Sequence, residues 1–276
     1  MPSTTTQRKL VSQFVAVTNA TKENAQRYLK NANFDLDTAV NLYFNSSGPV
    51  DEQTNEKLGQ MFDGLVTDED RQADPQGNSI GAQSMEDYMK LLGIDMTGYE
   101  FFVALDIVQA NSFAQITRSG FVEGWKESGV QPDMSAHKRH VRGCIDRLPK
   151  DPAYFKAVYR RAFLVGKEAP QKALEKETAL VFWDMLLGSK VYRWQTKNVN
   201  WLETWKSYLE EKWGRGVNKD MWNQTLEFAN RTLEDETLGF WSEDGAWPGV
   251  IDDFVLWCRE HGIGGSKSTD GMEVDY

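Results

Sequence analysis

The chain has 276 residues, 40 % of them hydrophobic and 26 % charged, with a net charge of −10. That balance suits a folded soluble protein with room for one large domain or a small one beside a medium one, and no apolar run approaches the ~18 residues that span a bilayer. Two cysteines far apart, Cys144 and Cys258, argue against a disulfide framework and fit a reducing compartment, nucleus or cytoplasm, while the N-terminal stretch lacks the apolar core of a signal peptide.

Residues 7–46 predict three short helices. The first, from Gln7 to Val17, sets Leu10, Val11, Phe14 and Val17 on one face. Thr21 is in place to cap a second helix through Lys30, and Asp35 starts a third with Leu36, Ala39, Val40 and Tyr43 inward. The polar stretch 47–56, with Gly48 and Pro49, reads as a linker. From 57 to 263 the pattern stays helical, at 57–66, 84–92, 98–110, 117–128, 135–147, 152–165, 173–187, 198–213, 219–233 and 249–261. Two brief extended stretches, around Ser79–Gly81 and Gln115–Thr117, are expected to pair. Residues 264–276 read as a disordered tail.

Nine of ten tryptophans lie between Trp183 and Trp257, and Trp194, Trp201, Trp205 and Tyr208 fall on one helical stripe, which reads as core filling. Charge is uneven. Residues 1–50 carry +2, whereas 219–260 hold ten acids against three bases, a net of −7. Such a surface repels nucleic acid and anionic membrane and attracts a basic protein face.

Cofactor chemistry finds no foothold. The phosphate-cradling patterns GxxxxGK[ST] and GxGxxG are missing. His137 and His140 make an i, i+3 pair without the acid-rich partners of a metal site. Cys144 sits among bases, yet Val141, Cys144 and Leu148 read as the buried face of an amphipathic helix. The loops before Ile80 and Ile116 have a calcium-loop rhythm, but their last positions are Ser84 and Gly120, where a bidentate acid is required. No catalytic residue, metal or cofactor is expected.

EDGAWPGVIDDFVLW (243–257), together with KDMWNQTLEF (219–228), EKETALVFWDMLL (175–187) and the N-terminal three-helix unit, resembles the defective in cullin neddylation family. The resemblance covers nearly the whole chain. It implies an all-α fold: a ubiquitin-associated domain at 7–46, then a potentiating-neddylation domain at 57–263 with two degenerate EF-hand-like units. It further implies a scaffold-type accessory ligase that binds the cullin C-terminal subdomain and the N-terminally acetylated tail of the neddylation conjugating enzyme. Carried over by position, the cullin-facing patch is Asp220, Ala246 and Asp252. The tail pocket is Ala82, Met85, Phe101, Ala104, Phe113, Val165, Phe182 and Met185, with Phe113 standing where family members usually have Gln. The small domain, with Ala25, Leu29, Leu36 and Ala39 inside, is the unit for ubiquitin or the modifier. It departs from the usual Met-Gly-Phe loop at Thr18-Asn19-Ala20 and from paired leucines at Tyr43-Phe44. The alternative to a transfer scaffold is a ubiquitin-binding adaptor.

Overall fold

The computed structural model describes residues 4–18, 22–46, 49–167 and 170–264. Thr21, Asn19, Ala20 and most of the tail read at 264–276 lie outside them. Chain contacts divide the molecule into two units, residues 1–61 and 62–276.

The first unit opens with helices α1 (Thr4–Thr18), α2 (Lys22–Asn31) and α3 (Leu36–Ser46). Phe14, Ala25, Leu29, Ala32 and Ala39 form its buried centre, with Leu10, Val11 and Leu36 partly buried around them. Phe14, Tyr28 and Tyr43 close a triangle of rings 5.3–6.0 Å apart, so Tyr43 is a packing residue. Asp35 caps α3, its carboxylate accepting from the Thr38 amide at 2.7 Å. Val17 departs from expectation. It is 59 % exposed, because the inward stripe of α1 runs through Val15 instead.

The predicted linker at 47–56 is helical from Pro49 onward, within α4 (Pro49–Asp63). Proline suits a helix's first position, acids favour its first turn, and the Glu, Gln, Lys, Leu and Met that follow are strong helix formers. Polarity together with Gly48 and Pro49 had suggested a linker.

The second unit is built from helices paired across two-residue strands. In its first half come α5 (Asp68–Ala73), β1 (Ser79–Ile80), α6 (Ala82–Leu92), α7 (Glu100–Ile107), β2 (Ile116–Thr117) and α8 (Arg118–Ser128). β1 and β2 pair antiparallel, Ile80 opposite Ile116, as the sequence predicts. The loop before β1 is closed by its own side chains. Asp74 accepts from the amides of Gln76 and Asn78 and from Ser79 Oγ. Asp70 makes a capping box with Thr67 and reaches the Gly81 amide at 2.7 Å and Ser84 Oγ at 2.5 Å. Burial raises the Asp70 carboxyl, but these donors together hold it below the ordinary carboxylate range.

The second half follows α9 (Met134–Arg147) and a 3-10 turn. It comprises α10 (Pro152–Gly166), β3 (Ala173–Leu174), α11 (Lys176–Leu187), α12 (Trp201–Lys212), β4 (Val217–Asn218), α13 (Lys219–Glu234) and α14 (Gly249–Glu260). β3 and β4 pair antiparallel. This corrects the helix predicted over 173–187: Ala173 and Leu174 are extended, and the helix starts after Glu175.

Trp194, Trp201, Trp205 and Tyr208 are all buried, as core filling requires. Trp194 precedes α12, however, and is fixed from α13 by a 2.8 Å bond from its Nε1 to Thr232 Oγ1. Deeper in, Tyr159 stacks on Trp222 at 4.4 Å, and Trp222 on Trp183 at 5.3 Å. Tyr159 Oη donates to the Trp222 carbonyl and accepts from Trp183 Nε1, both at 2.8 Å, while Trp222 Nε1 donates to the Tyr159 carbonyl at 2.9 Å. One polar cluster thus ties α10, α11 and α13 together inside an apolar core. His137 is fully buried and stacked on Trp125 at 3.6 Å, where burial lowers its pKa to about 4.

Candidate functional site

The acidic end of the second unit is assembled from two helix starts and the turn between α13 and α14. Asn218 caps α13, accepting from the Met221 amide at 2.8 Å, and leaves Asp220 exposed in the first turn. Pro248 precedes α14, whose first turn carries Asp252. Both acids therefore lie near the positive ends of helix dipoles, typically worth ~0.3–1 kcal/mol.

Asp252 has a further partner that sequence reasoning missed. Trp241 Nε1 donates to its Oδ1 at 2.8 Å, and the Arg259 guanidinium covers the Trp241 ring at 4.7 Å. The half-buried carboxylate is thereby held in one orientation. Nothing local in the sequence links Trp241 to an acid eleven residues later; only the fold of the turn does. Ala246 is exposed, beside Trp247, whose ring meets Phe228 of α13 edge-on at 5.6 Å. Phe228 also touches Phe254 of α14 at 5.8 Å. The structure thus brings Ala246 and Asp252 onto one continuous segment and packs that segment on α13. No described contact joins Asp220 to either of them.

The eight residues predicted for the tail pocket divide. Phe113 lies edge-on to Phe101 at 6.4 Å and to Phe182 at 6.2 Å, and its amide donates to the Val165 carbonyl at 2.9 Å. These four form one cluster from α7, α10, α11 and the loop before β2. Ala104 lies one turn on from Phe101, and Met185 one turn on from Phe182. Gly166 lets the chain pass here, since a Cβ would come within 2.4 Å of the Phe182 ring. Ala82 and Met85 sit on α6, Ala82 exposed and Met85 buried, and no described contact joins them to the cluster. Phe113 is 47 % exposed. Its ring covers Phe101 and Phe182 from the solvent side, so the cluster presents an aromatic face.

A family model described as "Cullin binding" matches residues 136–257, and one described as "UBA-like domain" matches residues 8–49. The chain is 42 % identical over 287 residues to a Pyricularia oryzae protein named "Defective in cullin neddylation protein 1", covering all of both chains. A protein of the same name from Mycosarcoma maydis is 27 % identical over 331 residues, covering 99 % of this chain and 100 % of that one. Another, from Caenorhabditis elegans, is 25 % identical over 278 residues, covering 92 % and 90 %. The chain therefore belongs to the defective in cullin neddylation family.

Proposed function

We propose that this protein is a non-covalent accessory ligase for cullin neddylation, acting in the nucleus and cytoplasm. It holds the basic C-terminal subdomain of a cullin on the Asp220–Ala246–Asp252 face and the acetylated N-terminal tail of the conjugating enzyme on the aromatic cluster around Phe113. The observation that carries this reading is Asp252, oriented by Trp241 within a segment of net charge −7 in a chain of this family. An oriented carboxylate in a negative field suits a basic partner.

Acetylation removes the charge of a terminal amine, so the residue behind it enters an apolar site without burying an ion. The conjugating enzyme already carries the modifier as a thioester, and the acceptor is a cullin lysine. Gripping both turns a collision into a near-intramolecular encounter, with an effective concentration on the order of mM. Well-oriented systems gain roughly 7–11 kcal/mol this way, and a two-point tether gains part of that. Neither cysteine suits covalent transfer. Burial raises the Cys144 thiol, against a weaker opposing hydrogen bond with Tyr154, and pushes Cys258 up to about 12. We read the two strand-paired halves as degenerate EF-hand-like units that serve as rigid frame.

The test is binding of the two partners one at a time. A conjugating-enzyme tail peptide is expected to bind when acetylated and to lose at least roughly tenfold in affinity when its amine is free, by fluorescence anisotropy. Phe182→Ala should weaken the acetylated peptide and leave a cullin C-terminal fragment bound as before. An adaptor acting only through residues 7–46, the UBA-like unit, would bind neither.

A further inference from the structure

A basic stretch runs through α9 into α10, where Lys156 pairs with Glu227 of the acidic segment at 3.6 Å and Arg161 with Asp106 at 3.0 Å. Residues 138–161, within α9 and α10, hold eight Lys and Arg against two Asp, a net of +6 in a chain of net −10. The nearby acids are already engaged. Asp133 caps α9, accepting from the Ala136 amide at 2.9 Å. Asp146 lies 3.9 Å from Arg142. Asp151 caps α10 and pairs with Arg147, Nε to Oδ2 at 2.9 Å. Lys138, Arg139, Lys150 and Arg160 have no carboxylate partner among the described residues.

Four of the residues that bear on this surface share an open groove of about 620 Å³: Arg139, Gly143, Cys144 and Arg147, with Gln131 and His140 alongside. Arg139, Gly143 and Arg147 follow one another at four-residue spacing on the face of α9 opposite buried Val141 and Ile145, with the small Ala136 in line with them at the groove's edge. Gly143 is unusual there. Glycine is a poor helix former, yet a Cβ at Gly143 would meet nothing within 4 Å, so internal packing does not require it. What glycine provides in mid-helix is close access to the groove floor for another chain's backbone.

We propose that this groove binds a short acidic peptide segment, with one carboxylate on the unpaired Arg139, a second displacing Asp151 from its exposed pair with Arg147, and its backbone passing over Gly143. Eight helical residues span ~12 Å. An extended chain advances ~3.3 Å per residue, so the segment carries acidic residues about four positions apart. Arginine's planar fork favours carboxylates bidentately. A short peptide fits better than a nucleic acid, because a long polyanion also meets the repulsion of the acidic 219–260 face.

The test uses the full chain and a fluorescein-labelled peptide with two Glu-Asp pairs four residues apart, followed by anisotropy. Saturable binding that weakens with salt is expected, reduced at least roughly tenfold by Arg139→Glu. Gly143→Gln should weaken it similarly without lowering the melting temperature, since glutamine is the better helix former. Asp252→Lys should leave it unchanged, which separates this groove from the cullin face. Absence of saturable binding, or undiminished binding by Arg139→Glu or Gly143→Gln, overturns the proposal. So does Arg139-dependent binding to phosphatidylserine vesicles when the peptide does not bind.

Discussion

Replacing Asp252 by lysine is expected to weaken binding of a cullin C-terminal fragment by about 2–4 kcal/mol, roughly 30- to 1,000-fold in Kd, and to slow modifier transfer. The substitution removes a carboxylate whose orientation Trp241 fixes and places a cation on the face proposed for a basic partner. It also leaves the nearly buried Trp241 Nε1 without its acceptor, at a cost of about 1–3 kcal/mol to the fold. Asp252→Asn separates the two effects. The amide oxygen still accepts from Trp241, so the melting temperature should stay near wild type while the charge is lost. Isothermal titration should then show a loss of about 1–2 kcal/mol in cullin affinity. An Asn variant that binds cullin as tightly as wild type would reduce Asp252 to a support for Trp241.

Trp222→Ala is expected to be the most damaging single truncation in the core. Trp222 is fully buried, stacked between Tyr159 and Trp183, and its Nε1 satisfies the Tyr159 carbonyl. Large-to-small changes of this kind cost about 3–5 kcal/mol, and an unpaired buried carbonyl adds about 1–3 kcal/mol. Against a typical total of about 5–15 kcal/mol this leaves little margin. Thermal unfolding followed by calorimetry should show the midpoint lowered by at least about 10 °C. Trp222→Phe keeps a stacked ring but not the donor, and should fall between the two. A midpoint within a degree or two of wild type for the alanine variant would mean that α10, α11 and α13 are held together by other contacts.

The helical architecture was legible because amphipathic stripes of ten residues or more repeat themselves in the sequence. Ile80 and Ile116 were also readable as strand residues, each an isolated β-branched residue between two helices. Ala173 and Leu174 were not. They adjoin Glu175, Lys176 and Glu177, all good helix formers, and a two-residue strand has no period to betray it. Val17 and the stretch from Pro49 were misjudged for the same reason: a local pattern compatible with two outcomes was decided by tertiary packing.

At the candidate site the division is similar. The places of Asp220 and Asp252 in the first turns of α13 and α14 were legible from the Asn and Pro that precede them. The Trp241 bond that orients Asp252 was hidden, because it depends on how the turn between α13 and α14 folds back. The aromatic cluster was half legible. Phe101, Phe113, Val165 and Phe182 meet, whereas Ala82 and Met85 share no described contact with them. The basic groove on α9 lay within a stretch rich in Lys and Arg, but its unpaired arginine emerged only once each neighbouring acid had a partner.

The account rests on two separate faces acting through one body, and single-turnover transfer of modifier to cullin tests it most directly. Asp252→Asn and Phe182→Ala should each slow transfer toward the unassisted rate, each without changing affinity for the other face's partner, and the double variant should be no slower than the unassisted reaction. Transfer at the wild-type rate by the double variant, with both binding interactions demonstrably lost, would contradict it.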